Sequence, residues 1–178
     1  MPKPYFNQEH KLKEILMVNH AGEFGAKRIY QGQLAFTKNP NDISTIQHML
    51  EQELEHLNYF ENEIKRGQSK PTFLLPLWSV LGYGLGALSA LAGAKTSMLV
   101  TESVEEVIVK HYQEQIEYLE NSGNHNQLLI KIRQFKQEEA EHIEIAIKND
   151  SKNAKLYSAL SKMVNTMCNT AISLSKRV

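Results

Sequence analysis

Two Glu-x-x-His pairs, Glu53/His56 and Glu139/His142, occur in the similar settings "ELEHL" and "EAEHI". Residues three apart share one face of a helix, so each pair can turn a carboxylate and an imidazole toward one ion. With 18 Glu and seven His in 178 residues, roughly 0.7 such pairs arise by chance, and the pairs alone say little. Their arrangement says more. A lone Glu precedes each pair, Glu23 by 30 residues and Glu105 by 34. The order Glu, Glu-x-x-His, Glu, Glu-x-x-His reads as a cryptic repeat of one helical hairpin.

The elements that must carry these residues are helical by periodicity. A first helix is expected over about 9–36, with the stripe Ile15, Leu16, Asn19, Gly22, Glu23, Ala26, Ile29, Tyr30, Leu34. "KNPND" breaks it. A second, about 43–66, has Ile46, Met49, Leu50, Glu53, His56, Leu57, Phe60 and Ile64 on one face. Helices over about 96–120 and 126–148 carry Met98, Glu105, Ile108, Tyr112, Ile116 and then Leu128, Ile132, Phe135, Glu139, His142, Ala146. A last helix is expected over about 153–175, and no stretch alternates strongly enough to be a strand. The fold class is all-α: a four-helix bundle with a long hydrophobic crossover helix and an additional C-terminal helix, in one domain over 1–178.

Glu51, Glu55, Glu61, Glu63, Glu117 and Glu141 fall off the apolar stripes and read as solvated. Glu23, Glu53, Glu105 and Glu139 sit on them, as do His56 and His142. A buried, unpaired carboxylate is costly, and four facing one core repel each other. Two divalent cations would neutralise four carboxylates. Oxygen and imidazole donors suit iron or manganese, and the single cysteine, Cys168, leaves no thiolate cluster. One Glu from each of two helices with Glu-x-x-His from each of two others matches the ligand set of di-iron and di-manganese carboxylate bundles. Glu102 shares a face with Glu105 and Glu106 adjoins it, so either is an alternative ligand; Glu105 centres the stripe.

Composition narrows the function classes. Lys+Arg and Asp+Glu are both 20, which gives no basic face for nucleic acid. One cysteine makes no disulfide framework and fits a reducing compartment. The N-terminal stretch is too polar for a signal peptide. Thr72 to Ala94 holds 23 residues without a charge, enough to span a bilayer. A span would put Glu23, Glu53 and His56 on the opposite side from Glu105, Glu139 and His142, so we expect a crossover helix of about 34 Å instead. With Trp78 and Tyr83 in it, it is expected to lie at a membrane interface. "GYGLGA" resembles a dinucleotide fingerprint but has no strand–helix–strand context. Gly22, Gly25 and Gly32 each cost a helix about 1 kcal/mol, which calls for a close approach by a neighbouring helix or a flat ligand.

The segments "NHAGEFGAKRIYQGQ", "EQELEHL", "VEEVIVKHYQEQI" and "EEAEHIE" resemble the demethoxyubiquinone hydroxylase family of ubiquinone biosynthesis, over nearly the whole chain. The resemblance implies a ferritin-like bundle holding two Fe ions, with Glu23, Glu53, His56, Glu105, Glu139 and His142 as ligands; we expect Glu53 and Glu139 to bridge. It places His111 and Tyr112 beside the site. It implies O2-dependent hydroxylation of the ring of a polyprenylated demethoxyquinol, the penultimate step toward ubiquinone. It further implies association with the membrane interface through 72–94 and with other ubiquinone-biosynthesis proteins. The family's eukaryotic targeting region has no counterpart here. The expected setting is therefore the cytoplasmic face of a bacterial inner membrane, or the matrix face of the mitochondrial one for a processed eukaryotic member. The rival expectations are a generic ferritin-like di-iron oxidase or iron-handling protein, and a non-catalytic helical scaffold at a membrane. The electron donor is left open.

Overall fold

A computed structural model of the chain describes the backbone of residues 4–123 and 125–177, with side chains from residue 8 onward. The expected domain, 1–178, thus includes residues 1–3, 124 and 178, which lie outside the described ones. Among the described residues the elements are six α-helices and one 3-10 turn, with no strand: α1 Pro4–Phe36, α2 Pro40–Lys65, α3 Leu75–Leu91, α4 Ala94–Ser122, α5 Asn126–Lys148, the turn Ser151–Asn153, and α6 Tyr157–Ser175.

Local chemistry sets the boundaries. The "KNPND" break becomes a capped start: Asn39 accepts from the backbone N–H of Asn41 at 2.8 Å and of Asp42 at 3.4 Å, and Pro40 opens α2 without needing a donor. Gly123 ends α4 at φ 66°, a left-handed position that costs glycine nothing.

The hairpin α1/α2 and the hairpin α4/α5 form the bundle; α3 lies along α1, and α6 lies along α4. Two apolar clusters fill its interior. One joins Leu12, Ile15, Leu16, Phe60, Ile116, Leu119, Leu128, Ile132 and Phe135. The other joins Ala26, Tyr30, Ile46, Met49, Met98 and Ala146. Along each of the four bundle helices, the stripe carboxylate falls between the residues of these two clusters. The antiparallel order of the helices therefore brings all four carboxylates to one level.

The crossover is shorter than expected. Thr72 to Leu74 and Ala92 to Gly93 are not helical, which leaves α3 17 residues and about 26 Å. No helix among the described residues is long and apolar enough to cross a membrane. One face of α3 is nonetheless bare: Val80 is 70% exposed, Leu88 68% and Leu91 64%, with Phe73 just ahead at 88%. The glycines act between α1 and α3. A Cβ on Gly32 would collide with the Tyr83 carbonyl, and one on Gly86 with the Ile29 carbonyl. Gly22 and Gly25, for which helix packing and approach of a flat ligand were both open, do not crowd a neighbouring helix: a Cβ on Gly22 would meet Ile108 Cδ1 at 3.8 Å, and one on Gly25 nothing within 4 Å. "GYGLGA" is thus a helix-packing surface rather than a phosphate loop.

Candidate metal centre

The six residues singled out in the sequence converge. Donor atoms of Glu23, Glu53, His56 and Glu139 lie within 4.8 Å of one another, as do donor atoms of Glu53, Glu105, Glu139 and His142. Glu53 and Glu139 belong to both groups. All six side chains are almost wholly buried. His56 Nδ1 lies 3.1 Å from Glu139 Oε1 and 3.6 Å from Glu23 Oε2. His142 Nδ1 lies 3.0 Å from Glu139 Oε2 and 3.5 Å from Glu53 Oε1.

This is an unstable arrangement for protein groups alone. Burial pushes the Glu53 carboxyl well above the carboxylate range, and the charges of Glu139, Glu23 and Glu105 push it further. Burial and the Glu139 charge likewise raise Glu105, against a hydrogen bond from Tyr30. Burial acts against the charged form of Glu139, but hydrogen bonds from His142 and His56 outweigh it and hold that carboxyl at about 2. Burial also disfavours a charged His56, and its hydrogen bond to Glu139 with the nearby Glu23 carboxylate carries it the other way, to about 11. Both oxygens of Glu53 and Oε2 of Glu105 are buried without a hydrogen-bond partner in the structure. Orphaned acceptors aimed at one volume are what cations would satisfy. An all-oxygen and imidazole donor set fits iron or manganese.

The surroundings follow an internal repeat that relates Tyr112, which the resemblance placed beside the site, to Tyr30 and a pair of glutamines that the sequence reading missed. Tyr112, seven residues after Glu105, donates its hydroxyl to Glu23 Oε1. Tyr30, seven residues after Glu23, donates to Glu105 Oε1 at 2.8 Å. Burial and the neighbouring carboxylates raise both phenols well above their usual range, so they remain proton donors. Ten residues beyond each lone Glu stand Gln33 and Gln115. Gln33 donates to Thr101 at 3.2 Å, and Gln115 exchanges two hydrogen bonds with Asn19, at 2.7 and 2.8 Å. The common offsets were the signal that could have found them.

The alternatives of the sequence separate cleanly. Glu102 is buried but turned from the centre, where it accepts from Ser151, Lys152 and Tyr157 (2.6 Å from the tyrosine). Burial works against its charge, but those three donors keep the carboxyl low. Glu106 is exposed. His111, which the resemblance places beside the site, is turned about 100° from Tyr112 on the helix and lines a pocket with Lys11, Glu14 and Lys176.

A cavity of about 400 Å³ lies between α1, α3, α4 and α6. Gly22 and Val104 line it, each one residue from a carboxylate of the centre, along with Gly25, Leu81, Trp78 and Met167.

An all-α bundle in which two helices give one Glu each and two give Glu-x-x-His belongs to the ferritin-like class. Within that class, the chain belongs to the family described as ubiquinone biosynthesis protein COQ7, whose family model matches residues 10–175. It is 43% identical over 168 residues to a Dictyostelium discoideum protein named NADPH-dependent 3-demethoxyubiquinone 3-hydroxylase, mitochondrial; the match covers 94% of this chain and 77% of that one. The Homo sapiens protein of the same name is 41% identical over 92% of this chain and 76% of its own. A Rhodospirillum rubrum protein named 3-demethoxyubiquinol 3-hydroxylase is 38% identical over 94% of this chain and 78% of its own.

Proposed function

We propose that this chain is a di-iron monooxygenase that hydroxylates the ring of a polyprenylated demethoxyquinol, 2-polyprenyl-3-methyl-6-methoxy-1,4-benzoquinol, at its 5-position, in ubiquinone biosynthesis. The observation that carries the reading is the convergence of six buried ligands beside an apolar cavity. The names of the relatives supply the substrate class.

Glu23, Glu53, His56 and Glu139 would hold one iron and Glu53, Glu105, Glu139 and His142 the other, so that Glu53 and Glu139 are shared. The irons, when bound, supply activation of O2 and the redox chemistry. In the overall reaction a ring C–H becomes C–OH and the second oxygen atom leaves as water, consuming two electrons and two protons. The names of several relatives make NADPH the donor to test.

The chain's own residues do the rest. Tyr30 and Tyr112 hold hydroxyl protons on Glu105 and Glu23 and fix both carboxylates. The apolar clusters on either side exclude water. The cavity receives the ring and part of the tail, with Gly22 and Gly25 leaving room for it. Helix α3 lines the cavity with Leu77, Trp78 and Leu81, and its bare face lies on the membrane surface from which a polyprenyl tail is taken up. The protein would thus work peripherally on an inner membrane, alongside other ubiquinone-biosynthesis proteins.

The test is turnover of a demethoxyquinone under O2 with NADPH, with iron counted per chain. Two irons and a hydroxylated ring are expected, and Glu53→Ala or Glu139→Ala should abolish the product. Retained turnover at normal iron content in either variant overturns the shared-ligand role. Loading far above two irons, with a mineral core, supports an iron-handling protein instead.

A further inference from the structure

The centre repeats its ligand types two-fold and departs from that repeat in the residues behind the two histidines. Both histidines turn Nδ1 toward the carboxylates and Nε2 away. His56 Nε2 lies 2.6 Å from Glu138 Oε2, and His142 Nε2 lies 2.9 Å from Gln52 Oε1. Glu138 immediately precedes Glu139, and Gln52 immediately precedes Glu53. The residue before the shared Glu on one helix therefore backs the histidine of the other, across the α2/α5 gap in both directions. The lone Glu residues are matched, each capped by a tyrosine from the opposite helix. The backing residues are not matched: one is a carboxylate, the other an amide.

We propose that Glu138 and Gln52 are positioning residues for the two histidines, and that carboxylate on one and amide on the other makes the metal positions unequal, the His56 position being the tighter. The inference rests on reading the six buried residues as a metal cage. An acceptor at Nε2 fixes the tautomer that leaves Nδ1 free as a ligand, and does so on both sides. A carboxylate acceptor also makes the imidazole more basic and adds a negative charge next to its cation; an amide does neither. Glu138 is itself held, since its Oε1 accepts from Gln134 at 2.9 Å. Its side chain is 23% exposed, so replacing it by its isostere opens no cavity in the core.

The experiment titrates the metal-free full chain with Fe(II) under anaerobic conditions. It resolves the binding steps by calorimetry and the iron environments by Mössbauer spectroscopy, with helicity checked by circular dichroism. Wild type should take two irons in unequal steps with two distinct spectra. Glu138→Gln should weaken the tighter step by about 10-fold or more and bring the two spectra together. Gln52→Glu should tighten the weaker step and close the gap from the other side. Two irons bound with both steps and both spectra unchanged in the two variants overturn the inference and leave the metal cage standing. A wild-type chain that binds no iron overturns the cage and the inference with it.

Discussion

Tyr30 on α1 donates its hydroxyl to Glu105 on α4 at 2.8 Å, while Tyr112 on α4 donates back to Glu23 on α1. The two lone carboxylates are thus tied to the two hairpins reciprocally, before any metal is considered. Both Tyr30 and Glu105 are about 1% exposed, so the bond has no water to replace it. Tyr30→Phe should cost the metal-free protein about 1–3 kcal/mol, the cost of leaving a buried acceptor without its donor. Urea denaturation measures it, and a loss under about 0.5 kcal/mol would show that the bond contributes nothing net.

Metal loading should release protons. In the metal-free chain Glu53 and Glu105 are held above the carboxylate range, and His56 is held at about 11. Ligation requires the deprotonated forms, so cations must displace those protons. Affinity should therefore rise with pH through the neutral range, and loading in a weakly buffered solution should acidify it. Calorimetry in buffers of different ionisation enthalpy counts the protons; a count of zero would contradict the shifts.

Two glycines should separate packing from access. At Gly86 an added Cβ strikes the Ile29 carbonyl, so Gly86→Ala must push α3 off α1 and should cost about 1–3 kcal/mol. At Gly22 the nearest atom is the mobile end of Ile108, at 3.8 Å, and the side chain would enter the cavity. Gly22→Leu should keep the melting temperature and iron content near wild type while raising KM for a long-tailed quinol. Equal thermal losses in both variants would return Gly22 to a packing role.

His111 should make the fold acid-sensitive. Burial, with the positive charges of Lys176 and Lys11 and against that of Glu14, lowers its ring to about 4 from an ordinary 6.5. Lys110 and Glu114, on its own helix, face the same region. The unfolded chain takes up the proton below pH 6.5 and the folded chain only near 4, so stability falls as pH drops through that window. At about 1.4 kcal/mol per unit the loss reaches roughly 3 kcal/mol at its lower edge. His111→Gln should flatten the difference between urea midpoints taken at about pH 7 and about pH 4.5; an unchanged difference would assign the acid sensitivity elsewhere.

The sequence by itself determined the helices, their order and which residues face inward, because 3.6-residue periodicity and capping chemistry are local. It determined the candidate donors as well, since carboxylates on apolar stripes must be neutralised by cations or protons once the stripes are buried. What opposes a given face was decided only in three dimensions. Glu102 and Glu105 lie three apart on one side of α4, and nothing local tells them apart. The packing does: Lys152 and Ser151 arrive at Glu102, and two carboxylates and one histidine, Glu53, Glu139 and His142, gather at Glu105. His111 and Tyr112 are adjacent in sequence and face different neighbours, because α1 and α6 flank α4 on sides that periodicity cannot name. The glycines were visible as a cost, but their partners on α3 lie some 50 residues away, and only the crossing of α1 and α3 showed which of them the helices need. The braces on the histidines come from the opposite hairpin, so their pairing exists only once α2 and α5 are side by side.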